Sequence, residues 1–141
     1  MQLTRLIYVS NHTGMAVETL DHILQTARAN NVRCGITGAL VIGEQHFLQL
    51  IEGDRAAVGQ CFMRIMQDDR HHGIQIISSG DVEHRLFHEW SMHRIETSRI
   101  KQEIISRYTI NGTFDPLQMS QFAIEDLCRT LAEGDWDALA A

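Results

Sequence analysis

The sequence predicts an α+β fold: a βαββαββ sandwich with two helices on one face of a sheet and two C-terminal helices on the other face. Three observations predict it. Short β-branched runs alternate with two segments of helical period. The second and third runs are separated only by Gly43-Glu44-Gln45, a polar turn short enough for a hairpin. The first run is apolar on both faces, as a strand covered on both sides should be. With 141 residues, 44% of them hydrophobic and a single proline, the chain has the length and apolar content of one well-packed domain.

Residues 3–10, LTRLIYVS, make the first predicted strand, with Leu3, Ile7 and Val9 on one face and Leu6 and Tyr8 on the other. After a turn over Asn11 to Gly14, Val17, Leu20, Ile23, Leu24 and Ala27 recur at helical spacing. The pair Asn30-Asn31 is expected to stop that helix, since Asn tolerates the left-handed conformation. Gly35 to Ile42 and His46 to Glu52 are the hairpin strands. Asp54 is the expected N-cap of a second helix that turns Val58, Cys61, Phe62, Ile65 and Met66 inward. A charged loop over 68–73 leads to a fourth strand, Ile74 to Ser79, and a weaker fifth spans Trp90 to Ile95. This order is the split-βαβ pattern of a ferredoxin-like domain, whose right-handed crossovers set the first and third strands side by side at the centre. Beyond it, Ile100, Ile104, Ile105 and Tyr108 fit one helix. Asp115-Pro116-Leu117-Gln118 carries the start signals of another, with the stripe Leu117, Ile124, Leu127 and Leu131 and an end at Gly134.

Twelve Lys+Arg against eighteen Asp+Glu leave a net charge of -6, so no nucleic-acid or anionic-membrane partner is expected. No apolar run approaches the roughly 20 residues that span a bilayer, and Met1 to Ser10 lacks a signal peptide's apolar segment. A cytoplasmic protein is expected. Cys34, Cys61 and Cys128 are odd in number and widely spaced, which fits neither a disulfide framework nor a zinc knuckle. His71-His72, His84 and His88 lack supporting Cys or carboxylate spacing, so no metal is expected.

Polar residues fall where a core should be. On the third strand Phe47, Gln49 and Ile51 share one face, which sets an amide between two large apolar neighbours. A buried amide without partners costs about 1–3 kcal/mol. Tyr8 on the adjacent strand makes the same demand, and the two side chains either satisfy each other in a plain core or serve a ligand. Ile23, Asn31, Phe47 and Gln49 would then share an apolar cavity with amide donors and acceptors, suited to a flat heteroaromatic ligand. Arg70 and His71 read as a solvated loop or as holders of a phosphate at the cavity mouth. Trp90 and Met92 alternate onto one face of the fifth strand, as core packing alone would also require.

These residues form a series: L-x-x-L-x-Y-x-S at 3–10, Asn30-Asn31, GITG at 35–38, FLQLIEG at 47–53, DDRH at 68–71, R-x-F at 85–87 and W-x-M at 90–92. In order and spacing the series resembles the BLUF family, blue-light sensors that bind FAD without a covalent bond, from residue 1 to about 95. The resemblance implies that Tyr8 and Gln49 are the photoactive pair beside the flavin ring. It implies that Asn31 bonds the ring's carbonyl edge, that Asn30 lies near the ribityl chain, and that Ile23 and Ile65 flank the isoalloxazine. Arg70 and His71 would lie toward the phosphate end, Phe47 in the cavity wall, Ser10 in the hydrogen-bond network, and Trp90 and Met92 in the signal relay.

The function so implied is a blue-light photoreceptor, not an enzyme. Excited FAD takes an electron and a proton from Tyr8, Gln49 changes its hydrogen bonds to the flavin by rotation or tautomerisation, and the change passes outward. The expected organisation is a photosensor domain over 1–97 and a helical extension over 98–141, with no separate output domain. The expected partners are an unidentified downstream protein and further copies of the chain, in a dimer or larger homo-oligomer. Two alternatives stand beside this one. A small ferredoxin-like enzyme of phosphatase type would need an anion-cradling loop after the first strand, where Ser10 to Gly14 carries no Arg. A ligand-binding regulatory dimer without photochemistry would be colourless.

Overall fold

The computed structural model describes residues 2–88 and 91–134. A single sheet runs in the order β4-β1-β3-β2-β5. Its strands are β1 (Leu3–Asn11), β2 (Thr37–Ile42), β3 (His46–Asp54), β4 (His72–Asp81) and β5 (His93–Glu96). Helices α1 (Val17–Cys34) and α2 (Arg55–Met66) follow β1 and β3. β1 pairs antiparallel with β3 and β4, β2 pairs antiparallel with β3, and β5 lies parallel to β2. This is the ferredoxin-like arrangement with a fifth strand, and β1 and β3 are neighbours inside it.

The two-sided first strand separates two cores. Leu6 and Tyr8 join Leu20, Leu24, Phe47, Ile51, Val58 and Phe62 under α1 and α2. Ile7 and Val9 join Leu48, Leu50 and Ile95 under the C-terminal elements, which supply Ile104, Ile124, Leu127 and Leu131. The hairpin closes through the Gly43 amide on the His46 carbonyl, 2.9 Å. At Gly38 in β2 a Cβ would stand 1.9 Å from the Leu50 carbonyl oxygen, so only glycine lets these strands approach.

Local signals misplaced several boundaries. α1 does not stop at Asn30-Asn31 but continues to Cys34, and Gly35 (φ 69°) ends it by returning its amide to the Asn31 carbonyl. β2 accordingly begins at Thr37 instead of Gly35. Val17 is exposed at the start of α1. Asp54 stands at the N-cap of α2, yet its side chain makes no capping bond. Of the inward set on α2, Ile65 is half-buried and Met66 is exposed. β4 extends past Ile74–Ser79 in both directions because edge pairing with β1 tolerates exposed polar residues, with register shifts at Ile7/Tyr8 and Val9/Asn11.

The fifth strand is shorter than expected. It starts at His93, so Met92 precedes it in the chain, and the expected strand position of Trp90 lies outside the described residues. Residues 100–108 form one α-turn, α3 (Gln102–Ile105), between 3₁₀ turns at 97–99 and 106–108. Asp115 does accept a capping bond from the Leu117 amide, but it caps only the 3₁₀ turn Pro116–Gln118. The long helix α4 (Gln121–Ala132) begins at Ser120, whose hydroxyl accepts from the Ala123 amide. Leu117 therefore packs on the second core from a turn, not from the helix stripe.

Candidate ligand-binding site

Between the sheet and the α1–α2 layer lies a cleft with about 810 Å³ of free space, mouth included. Tyr8, Leu40, Phe47 and Gln49 rise from the sheet; Ile23, Ala27, Asn30 and Asn31 come from α1; Cys61, Arg64 and Ile65 come from α2. Asp68, Arg70 and His71 stand on the connection to β4, and Met92 closes the set.

The floor is a hydrogen-bonded row. Tyr8 and Gln49 are direct partners across β1 and β3, so their side chains share one face. The Tyr8 hydroxyl donates to Gln49 Oε1. Gln49 Nε2 donates in turn to Met92 Sδ, 3.4 Å away. Burial, helped by the nearby Cys61 thiol and Asp68, pushes the Tyr8 phenol far above its ordinary range, so it stays protonated. Phe62 lies against its ring, with centroids 5.6 Å apart.

Asn31 is almost fully buried on the last full turn of α1, with its amide oriented from both ends. Nδ2 donates to the Ser91 carbonyl (2.8 Å), and Oδ1 accepts from the Cys61 thiol (3.8 Å). Asn30 is half-buried, and its Oδ1 accepts from Arg33.

Ser10 does not line the cleft. It is fully buried behind His71, with Oγ 2.7 Å from Nδ1. His71 Nε2 lies 2.9 Å from the Ile65 carbonyl, which can only accept. Nε2 therefore donates to that carbonyl while Nδ1 meets the Ser10 hydroxyl, so both nitrogens are engaged within the protein. His71 is thus a wall of the cleft and a brace for α2. Arg70 is chelated by Asp68 through Nε (2.8 Å) and Nη2 (2.6 Å). The Arg70 bonds hold the Asp68 carboxyl below its usual range, and the guanidinium is raised in return.

The opposite face of β3 carries a polar residue that the strand pattern missed. Glu52 is fully buried. Its carboxylate accepts from Arg5 Nε (2.8 Å) and from the Leu86 and Phe87 amides (3.0 Å each). Arg85 adds bonds to Thr37 Oγ1 (2.7 Å) and the Glu52 carbonyl (3.1 Å). The segment after β4 is thus anchored to β3 before it returns to the cleft at Met92. Arg64 and Thr26 are further cleft residues with no signal in the sequence, while Leu24, Ala27 and Cys61 were visible only as inward positions.

After β1, the loop is closed upon itself: the Gly14 amide donates to His12 Nδ1 (3.1 Å), and Nε2 meets the Gly43 carbonyl (3.0 Å). Its groups are committed to the hairpin rather than turned toward an anion. An apolar cleft with a phenol and three side-chain amides fits the donor–acceptor edge of a flat heterocycle, and Arg64 and Arg70 suit a charged tail.

Fold and cleft together define a ferredoxin-like domain with a small-molecule cleft that has a hydrogen-bonded amide in its floor. The chain belongs to the BLUF family, sensors of blue light using FAD, whose family model matches residues 3–93. It is a blue-light photoreceptor domain, and its cofactor is FAD. The photoactivated adenylate cyclase subunit beta of Euglena gracilis is 33% identical over 125 residues, 86% of this chain and 13% of that protein. The blue light- and temperature-regulated antirepressor BluF of Escherichia coli (strain K12) is 34% identical over 73 residues, 51% of this chain and 18% of that one. The chain thus spans a small fraction of these relatives. Among solved structures, dark-state BlrB, a BLUF protein, aligns with TM-score 0.76 and 30% identity over 94% of this chain and 97% of its own. BlsA in its photo-activated state aligns with TM-score 0.82 and 27% identity over 92% and 94%. The phosphatase-type enzyme and the colourless regulatory dimer give way to this membership.

Proposed function

We propose that the chain binds FAD non-covalently in the α1–α2 cleft and that Tyr8 and Gln49 form its photoactive pair. The observation that carries this is the continuous row Tyr8–Gln49–Met92 in an apolar floor. Bound FAD supplies the absorption of blue light and, when excited, an electron acceptor. Tyr8 is the donor of an electron and a proton, both of which it recovers, and its hydroxyl proton already lies on a hydrogen bond to Gln49. Gln49 has an oxygen toward Tyr8 and an NH₂ toward Met92, so half a turn of the amide, or a proton moved onto its oxygen, changes what both neighbours receive.

The remaining cleft residues hold and orient. Asn31 would meet the carbonyl edge of the ring and Asn30 the ribityl chain; Ile23, Phe47 and Ile65 supply apolar contact. Arg70 and His71 stand toward the phosphate end, with Arg70 shared with Asp68. Ser10 acts through His71 rather than on the ligand. Met92 and Trp90 relay the change. The photosensor comprises residues 1–97 and the extension residues 98–141, whose described part, to residue 134, packs against the second sheet face. The output is an altered affinity for a downstream protein or for further copies of the chain in the cytoplasm. No helix among the described residues is long and apolar enough to cross a membrane.

The test is optical. The purified protein should be yellow and should show a reversible red shift of the flavin bands under blue light. A yellow protein whose spectrum is unmoved by light would overturn the Tyr8–Gln49 assignment.

A further inference from the structure

Helix α1 grips the chain around the start of β5 at three places. Asp21 pairs with Arg94 at 2.6 Å, Arg28 Nε donates to the Met92 carbonyl at 3.0 Å, and Asn31 Nδ2 donates to the Ser91 carbonyl at 2.8 Å. Arg28 is not part of the cleft wall, so its bond to Met92 is not explained by ligand binding.

Met92 is held in opposite directions. Its backbone is tied to α1 by the guanidinium, while its fully buried sulfur accepts the Gln49 amide. The two contacts are unequal. A thioether is a weak acceptor on a flexible stem, and it does not by itself specify a position. A guanidinium bond to a carbonyl is charge-assisted and directional. The firmer contact therefore sets where the weaker one can form.

We infer that Arg28 is a positioning residue of the light switch: by holding the Met92 carbonyl it keeps the sulfur within reach of Gln49, and so couples the arrangement of that amide to α1. The inference rests on the reading of Gln49 as the rearranging group. Without the anchor the sulfur drifts, the Gln49 nitrogen loses its acceptor, the amide turns more freely, and return to the dark state quickens.

The experiment measures FAD content, the light-induced red shift and the dark-recovery rate of the full chain. It compares wild type, Arg28→Gln and Arg28→Lys, each with Met92 and with Met92→Leu, which keeps bulk without the acceptor. Arg28→Gln is expected to retain FAD and the shift but to recover about fivefold faster, the rate equivalent of one net hydrogen bond. Arg28→Lys should restore part of the lifetime. In the Met92→Leu background Arg28→Gln should add nothing, because the two act through one contact. A residue that merely stabilises the fold would act equally in both backgrounds. Unchanged recovery in Arg28→Gln, or the same acceleration with and without the sulfur, overturns the inference. A wild type with bound flavin and no red shift overturns the Gln49 reading and this inference with it; that result is visible in the wild-type arm alone.

Discussion

Tyr8 and Gln49 are direct cross-strand partners, and the phenol donates to the amide oxygen while the amide nitrogen turns to Met92. One amide therefore joins an aromatic donor on β1 to the segment that enters β5. Its two ends are chemically different, so half a turn of the amide presents a donor to Tyr8 in place of an acceptor and takes the donor away from the Met92 sulfur, without any backbone movement.

Tyr8→Phe should keep FAD, because the ring still packs on Phe62, and lose the normal red-shifted photoproduct, because the hydroxyl is gone. Gln49→Leu preserves the bulk and removes both amide functions, so flavin should remain and the shift should vanish. Absorption spectra before and after blue light check both; a normal photoproduct in either variant removes that residue from its role.

The segment 92–95 touches both cores. Met92 belongs to the core under α1 and α2, whereas Ile95 belongs to the core that includes Ile104 and Ile124. β5 passes between the two. Hydrogen exchange over residues 98–134 should differ between light and dark in the wild type, and Met92→Ala should weaken that difference. Since truncating a buried Met costs about 2–5 kcal/mol, Met92→Leu serves as the volume-conserving comparison. Identical exchange in light and dark would make these helices a static cover.

Glu52→Ala should destabilise the fold by about 2–4 kcal/mol, since it leaves the Leu86 and Phe87 amides without their acceptor and removes the Arg5 Nε bond, while Arg5 keeps its bond to the His84 carbonyl. Urea unfolding measures it. A loss below about 1 kcal/mol would mean that water replaces the carboxylate.

Gly38→Ala should be among the most damaging small substitutions in the chain. Its Cβ would meet the backbone Leu50 oxygen, which cannot swing aside as a side chain would. The expected loss is at or above the roughly 1–3 kcal/mol typical of overpacking. Melting temperatures check it against Gly59→Ala, where a Cβ finds open space.

Stability should fall in mild acid. Burial first, with the neighbouring His46 and His71 adding to it, lowers His12; burial and the Arg28 charge lower His93. The unfolded chain then binds protons that the folded chain refuses, so unfolding free energy rises with pH through this range. Full stability is expected above the ordinary histidine value near 6.5 and a decline as pH falls below it. Urea midpoints at a series of pH values test the sign, and His12→Asn should flatten the decline.

By itself the sequence determined the strand faces, the hairpin, the two cores and the Tyr8–Gln49 pairing. The strand faces and the hairpin follow from a period of two and a short connection, which depend on a few adjacent residues; the cores and the pairing follow from the ferredoxin-like strand order, which sets β1 beside β3. The tertiary structure alone decided where polar side chains found their bonds. Asn31 was legible as a helix stop, yet it stays helical because Ser91 and Cys61, 60 and 30 positions away, hold its amide. Glu52 was legible only as the last residue of the third strand and is buried, because the Leu86 and Phe87 amides fold back onto it. Met92 was assigned to a strand and instead lies before it, with its carbonyl on Arg28 and its sulfur on Gln49. In each case the physical reason is the same. A buried donor or acceptor must be paired, and its partner is set by which distant segment is packed beside it rather than by its neighbours in sequence.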